Sequence, residues 1–180
     1  LKNTSFKNPH GLDEDGHYST AKDLAVIARC AMQNDDFREI VSTKSAVIHE
    51  RILVNHNKLL WKYDGAAGIK TGYTMQSGRS LVSFAERDGT SFIIVTINDR
   101  DDWDDHMALF NWGFDNYKTE NAVDAEALTY EIPVISGESK IITVRPSNDV
   151  SIFIEKDREC EICVFLPRFV YAPVQSGDII

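Results

Sequence analysis

The chain has 180 residues, and 28 acidic against 19 basic side chains give it a formal net charge of -9. Its 43% hydrophobic content is that of a packed protein and excludes a disordered chain. The acidic balance excludes a general nucleic-acid binder, because phosphate contacts require many lysines and arginines, and no apolar run approaches the roughly 20 residues of a membrane-spanning helix.

Two amphipathic helices are the first predicted elements. Thr20 is a suitable N-cap with Asp23 in the first turn, and apolar residues follow at helical spacing at Leu24, Ile27, Ala28 and Ala31. A shorter helix is expected to start at Asp36 and to carry Phe37, Ile40 and Val41 on one side. Residues 46–54 combine β-branched residues with polar ones, which predicts a strand after this helix.

An antiparallel sheet is predicted in the middle of the chain. Apolar runs at residues 81–85 and 92–97 flank the turn signal Arg87-Asp88-Gly89, so the two strands should be neighbours. The second run is apolar on both faces and needs helices on both sides. One such helix is indicated by Met107, Phe110, Phe114 and Tyr117, with an acidic run at its N-terminus. Residues 1–118 are therefore predicted to form an α/β (α+β) layer with an antiparallel sheet.

The remainder of the chain changes character to short strands. A polar linker is expected over 119–127, and residues 128–180 predict a small all-β domain with strands at 141–144, 150–155 and 161–166. Cys160 and Cys163 have the spacing of redox and zinc pairs, but a strand would point them to opposite faces, and we interpret them as free thiols. Cys30 is expected to pack as a small hydrophobe.

A glycine-rich segment, residues 65–78, carries the main chemical candidates. In a strand, Lys70 and Gly72 lie on one face, so that a cation stands beside a bare backbone that could hold a carboxylate. The Tyr73 backbone N–H is a candidate donor to an anionic oxygen. On three residues alone, a surface lysine and a strand-start glycine is the commoner interpretation.

The order of four motifs along the chain favours a binding role for this segment instead. They are His10-Gly-Leu-Asp, Gly16-His-Tyr-Ser-Thr-Ala, Asn55-His-Asn-Lys-Leu-Leu-Trp61 and Gly68-Ile-Lys-Thr-Gly-Tyr-Thr74. In this order they closely resemble the low-molecular-weight penicillin-binding proteins of the D-alanyl-D-alanine carboxypeptidase family, and the strand-rich tail resembles that family's small C-terminal β domain. The resemblance implies a β-lactamase/transpeptidase-like antiparallel sheet covered by helices, followed by a small all-β domain that is incomplete here.

The resemblance also implies a chemistry. The family comprises serine peptidases of the bacterial cell envelope, which remove the terminal D-Ala of peptidoglycan stem peptides through an acyl-enzyme and are inhibited by β-lactams, without metal or cofactor. By resemblance, Lys70 and Thr71 bind the substrate's terminal carboxylate, Gly72 leaves room for the substrate, and the backbone N–H of Tyr73 shares the oxyanion hole. Pleating alone sends the Thr71 side chain to the face opposite Lys70.

Two further motifs of the family, Ser-x-x-Lys with the nucleophile and Ser-x-Asn, have no clear match. Ser19 and Lys22 have the first spacing, but they stand at a helix start, and Ser147-Asn148-Asp149 follows a proline in the β tail. We interpret both as structural and expect the nucleophile upstream of Leu1. The 180-residue chain is then the C-terminal part of a peptidase and inactive alone, and peripheral membrane attachment beyond Ile180 stays open.

The same residues allow other interpretations. A non-catalytic envelope module and a β-lactamase relative are the alternatives to the peptidase. The acidic run 99–105 lacks the glycine and distal glutamate of a calcium loop and is better explained by helix capping. His10 and His17 flank two aspartates in a loop that is interpreted as structural, and Arg79 and Arg100 are assigned no role.

Overall fold

The structure is a computed structural model that describes residues 1–180, and it divides the chain into two units, Leu1–Asn116 and Tyr117–Ile180. This boundary lies close to the one expected at residue 118. The linker expected over 119–127 differs from the structure, because its first residues continue a strand that begins at Tyr117. These residues form a strand because they pair with residues 150–155, far along the chain.

The first unit contains four helices, a separate hairpin and a three-stranded sheet. The helices are α1 (Ala21–Ala31), α2 (Asp35–Ser42), α3 (Leu59–Lys62) and α4 (Asp102–Asn116). The hairpin pairs β1 (Ser45–Ile48) with β2 (Arg51–Val54). The sheet is antiparallel in the order β3 (Ala66–Thr74), β4 (Gly78–Arg87) and β5 (Thr90–Ile97). The α/β fold with an antiparallel sheet is confirmed.

Local signals account for the helix starts. The Thr20 side chain accepts a hydrogen bond from the Asp23 backbone N–H at 3.1 Å, which confirms the predicted N-cap of α1. In α2 the cap is Asn34, whose Oδ1 accepts from the Phe37 N–H at 2.8 Å, and the helix starts one residue before the predicted Asp36. Cys30 is exposed rather than packed, because it lies off the apolar stripe of α1.

Two predictions about element ends were wrong. Residues 46–54 form a hairpin and not one strand, because His49 and Glu50 both adopt positive φ, at 46° and 64°, and make a tight turn. Tyr117, counted among the residues of the last helix, instead begins a strand, since α4 ends at Asn116. In both cases the apolar pattern of the sequence does not show with which segment a strand pairs.

The sheet is covered on both faces, as the doubly apolar β5 requires. On one face the buried residues Leu81 and Ala85 of β4 pack with Phe110 and Phe114 of α4. On the other, Phe84 packs with apolar residues of α1, and Ile93 of β5 lies against this cluster. The two clusters fix the sheet between α1 and α4.

The second unit consists of strands only, as predicted. β6 (Tyr117–Val123) pairs with β9 (Val150–Glu155), and a second sheet has the order β10 (Val170–Tyr171), β7 (Tyr130–Ile135) and β8 (Ile141–Val144). The strand predicted over 161–166 is absent, because its alternating apolar side chains find no partner strand and stay exposed. Cys160 and Cys163 are therefore not held on opposite faces of a strand, and both thiols are exposed in an irregular segment.

None of the helices is long and apolar enough to cross a membrane.

His106 of α4 is a fully buried histidine between two strands. Its Nδ1 lies 2.5 Å from the Ser83 hydroxyl of β4, and its Nε2 lies 3.1 Å from the Thr96 hydroxyl of β5. Burial lowers the pKa of His106 from 6.5 to about 4, although the nearby carboxylates of Asp102 and Asp99 favour the charged form. The folded protein therefore holds a neutral imidazole.

The stability of the protein should fall as the pH is lowered from about 6.5 to about 4. In that window the unfolded chain binds a proton at His106 and the folded chain does not. Up to about 2 to 3 kcal/mol of unfolding free energy is therefore lost. Below about pH 4 both states bind the proton, and His106 causes no further loss. Urea midpoints at pH 7 and pH 4.5 should differ less in His106→Gln than in the wild type. An NMR titration in which the wild-type imidazole protonates near pH 6.5 would contradict this.

Candidate functional site

The residues singled out by sequence all lie in the second half of β3, an edge strand. The sheet order leaves one edge of β3 without a partner strand. In the register of the β3–β4 pair, Lys70 lies opposite Val82, Thr71 opposite Leu81, Gly72 opposite Ser80 and Tyr73 opposite Arg79. An unpaired edge presents backbone donors and acceptors to whatever binds there.

The register determines which backbone groups point to this free edge. The Arg79 carbonyl accepts a hydrogen bond from the Asp99 N–H at 2.9 Å, so Arg79 directs its backbone groups toward β5. At the other end of β4, the Glu86 N–H donates to the Gly65 carbonyl at 3.0 Å, toward β3, which gives the same alternation. Tyr73 lies opposite Arg79 and therefore points its N–H and carbonyl to the free edge.

Thr71 shares this orientation, whereas Lys70 and Gly72 direct their backbone groups to β4. Side chains follow the complementary alternation. Lys70 shares a face with Val82, which packs against the α1 cluster, and Thr71 shares a face with Leu81 of the α4 cluster. The two side chains thus leave the strand on opposite faces, as the pleat predicts.

The Lys70 ammonium nevertheless lies at the free edge. Its Nζ donates to the carbonyl oxygen of Thr71 at 2.5 Å, and that carbonyl points away from β4. The long side chain bends around the strand to reach it. The ammonium and the Tyr73 backbone N–H are therefore both presented at the same unpaired edge.

Gly72 differs from the other glycines of the segment in having no structural need to be glycine. A Cβ built on Gly72 would come no closer than 3.7 Å to the Ser80 carbonyl, which is ordinary contact. By contrast, a Cβ on Gly65 would lie 2.4 Å from the Glu86 carbonyl oxygen, and one on Gly68 would lie 2.8 Å from Val41 Cγ2. The bare backbone at Gly72 leaves room for a bound molecule to approach the strand.

Ser19 and Ser147, the serines of the two segments that approach the Ser-x-x-Lys and Ser-x-Asn patterns, both make local contacts. The Ser19 hydroxyl is 2.9 Å from the Thr4 hydroxyl in the network that begins α1, and no hydrogen bond joins it to Lys22. The Ser147 hydroxyl accepts from the Asn148 side chain at 3.2 Å, and Asp149 accepts from the Ala125 N–H at 2.8 Å within the second unit. Both observations agree with the structural interpretation.

The acidic run before α4 has structural partners as well. Asp102 is buried and pairs with the Arg79 guanidinium through both oxygens, at 2.7 and 3.0 Å. Asp105 has its pKa raised, first by the charge of Asp99. No group of three or more histidine, cysteine or carboxylate side chains is arranged to hold a metal ion. The half-exposed Arg79 guanidinium is thereby paired with a buried carboxylate, which offsets its charge.

The loop before α1 contains one contact that sequence reasoning missed. His10 and His17 use their Nδ1 atoms locally, accepting from the N–H groups of Leu12 and Lys7. Asp13, between them, accepts a hydrogen bond from the Ser77 hydroxyl in the β3–β4 turn. These two residues are 64 positions apart, and no local pattern connects them.

Comparisons with known proteins point to one family. A family model described as D-alanyl-D-alanine carboxypeptidase matches residues 1–101. The D-alanyl-D-alanine carboxypeptidase DacF of Bacillus subtilis is 29% identical over 99% of this chain and 49% of its own length. DacB2 of Mycobacterium tuberculosis is 38% identical over 62% of this chain and 42% of its own length.

Solved structures give the same assignment. Penicillin binding protein 5 from Haemophilus influenzae matches 99% of this chain and 54% of its own, with a TM-score of 0.70 and 29% identity. The DD-transpeptidase of Streptomyces K15 matches 63% of this chain and 48% of its own, with a TM-score of 0.59 and 33% identity. The chain spans about half the length of the curated relatives it matches. It belongs to the D-alanyl-D-alanine carboxypeptidase family.

Proposed function

We propose that the protein is a serine-type D-Ala-D-Ala carboxypeptidase, and that residues 1–180 supply the part of its site that binds the substrate's terminal carboxylate. The observation that carries the proposal is the joint presentation of the Lys70 ammonium and the Tyr73 N–H at the unpaired edge of β3. Between them, the bare backbone at Gly72 allows a peptide to approach the strand.

Each residue has a defined part in this proposal. The Lys70 ammonium makes a charge-assisted hydrogen bond to the terminal carboxylate of the stem peptide, or to the carboxylate of a β-lactam in its place. Thr71 contributes to the same carboxylate through its backbone N–H, which points to the free edge, because its side chain leaves the strand on the face opposite Lys70. The Tyr73 N–H faces outward and donates to the oxyanion that develops when the peptide carbonyl is attacked.

The nucleophile and its base are proposed to lie outside residues 1–180. Acyl transfer needs a hydroxyl activated by a base within hydrogen-bond reach, and Ser19 and Lys22 do not form such a pair. The proposed place of action is the bacterial cell envelope, where peptidoglycan stem peptides end in D-Ala-D-Ala. The family assignment and the names of the relatives support this substrate.

The test measures D-Ala release by the full-length protein that contains this chain. A peptide ending in D-Ala-D-Ala should lose one D-Ala, a matched peptide ending in D-Ala-L-Ala should not be cleaved, and prior incubation with a penicillin should stop the release. Binding of the first peptide without any release would contradict the proposal. That result would favour the non-catalytic envelope module.

A further inference from the structure

The turn that ends β3 is held by a side chain from a distant loop. The turn joins Thr74 to Gly78, and its internal bond runs from the Ser77 N–H to the Thr74 hydroxyl at 2.9 Å. Met75 in this turn is 95% exposed, so the turn gains little from packing. The Asp13 carboxylate accepts a second hydrogen bond there, from the Ser77 hydroxyl, at 2.5 Å.

The loop that carries Asp13 is itself well anchored. Ser5 and Tyr18 exchange two backbone hydrogen bonds of 2.9 Å across its base. Below them, the Asp23 carboxylate of α1 accepts from the Thr4 hydroxyl at 2.7 Å and from the Asn3 N–H at 3.0 Å. The loop is thus tied to α1 at its base and to the β3–β4 turn near its tip.

Toward the tip, the loop is held by its own side chains. The Asn8 amide oxygen accepts from the Gly11 N–H at 2.8 Å, and its nitrogen donates to the Leu12 carbonyl at 3.0 Å. Hydrogen bonds from Ser77 and Thr74 lower the pKa of Asp13, and the charge of His17 acts in the same direction. Asp13 therefore stays ionised at neutral pH and accepts strongly.

Tyr73 immediately precedes the turn that Asp13 holds. On an edge strand, one side of the Tyr73 backbone has no partner strand to fix it, so its position depends on β4 and on the turn that follows. Oxyanion donors are effective only when they are fixed before the reaction, and removal of one donor costs roughly 100- to 1000-fold in rate. A loosened turn should therefore lower the acylation rate.

We propose that Asp13 is a positioning residue for acyl transfer: by holding Ser77 it fixes the end of β3 that presents the Tyr73 N–H. This inference rests on the proposed function. Asp13 touches neither substrate nor oxyanion, and it acts through the turn. Its effect should therefore appear in the rate of acylation and not in the affinity for the ligand.

The experiment measures penicillin acylation by the full-length protein, separating the acylation rate constant from the dissociation constant of the initial complex. Asp13→Ala should lower the rate constant about tenfold, with the dissociation constant changed less than about twofold. Asp13→Asn should recover part of the loss, because its amide oxygen still accepts from Ser77. Asp15→Ala is the matched control in the same loop, and it should acylate as the wild type does.

A double-mutant cycle identifies the contact. Ser77→Ala should also slow acylation, and the double variant should be no slower than Asp13→Ala, because both changes remove the hydrogen bond between Ser77 and Asp13. Losses that multiply, or an Asp13→Ala variant that acylates at the wild-type rate, would overturn the inference while leaving the proposed function intact. A folded wild-type protein that forms no acyl-enzyme would overturn both.

Discussion

A protein consisting of residues 1–180 is expected to gain no covalent label from a fluorescent penicillin. Acylation requires a nucleophile, a base and an oxyanion hole in one place, and the site proposed here contributes only one oxyanion donor and a carboxylate site. The Ser19 hydroxyl, the one suggested by spacing, bonds with Thr4 at 2.9 Å while its neighbour Thr20 caps α1. The full-length protein is expected to be labelled, and the 180-residue chain is expected to carry no label.

In-gel fluorescence and intact mass measure this outcome. The full-length protein serves as the positive control, and circular dichroism confirms that the shorter chain is folded. Label that disappears when Ser19 is replaced by alanine would show that the nucleophile is in this chain after all. The structural interpretation of Ser19 and Lys22 would then be wrong.

Lys70→Ala in the full-length protein is expected to lower acylation efficiency by about ten- to a hundredfold. The variant removes a charge-assisted hydrogen bond to the substrate carboxylate, worth roughly 1.5 to 3 kcal/mol. The acylation efficiency should fall equally for peptides and for penicillins, because both present a carboxylate to Lys70. Lys70→Arg should lose less, since the charge is kept although the geometry changes.

Substrates with an amidated C-terminus separate this role from others. They lack the carboxylate charge, so Lys70→Ala should affect their acylation little. Lys22→Ala, which removes another exposed lysine of the same unit, is the control for a general loss of charge and should leave both substrates unaffected. If Lys70→Ala slowed amidated and free-acid substrates equally in folded protein, Lys70 would serve the sheet or proton transfer and not the carboxylate.

The loss of stability expected from buried His106 and the loss of rate expected from Asp13→Ala act on different parts of the first unit. His106 lies between β4, β5 and α4, whereas Asp13 meets the turn beside the free edge. The first should change urea midpoints with pH and the second should change acylation at constant pH. The two effects can therefore be measured independently.

Much of the architecture follows from local sequence signals. The N-cap at Thr20, the apolar runs of β4 and β5 and the turn around Gly89 are set by neighbouring residues, because capping bonds and side-chain periodicity act over a few positions. The requirement that helices cover both faces of β5 also follows from its composition. The motif containing Lys70 identified the strand that carries the candidate site.

Only the tertiary structure decided which strands find partners. Residues 161–166 alternate like a strand and form none, whereas residues expected in a linker pair as β6 with β9. Alternation is necessary for a half-buried strand, but pairing depends on a second segment far along the chain. The boundary at Tyr117 was mispredicted for the same reason, whereas residues 46–54 are divided by a local turn at His49 and Glu50.

The sequence by itself determined the family, the core pattern of the first unit and the motif residues Lys70 to Tyr73. The tertiary structure decided that β3 is an edge strand, that the Tyr73 N–H faces outward and that the Lys70 ammonium bends to that edge. It also decided that Asp13 meets Ser77 and that His106 is buried. Strand order, desolvation and contacts across 64 residues arise from non-local packing, which no local periodicity encodes.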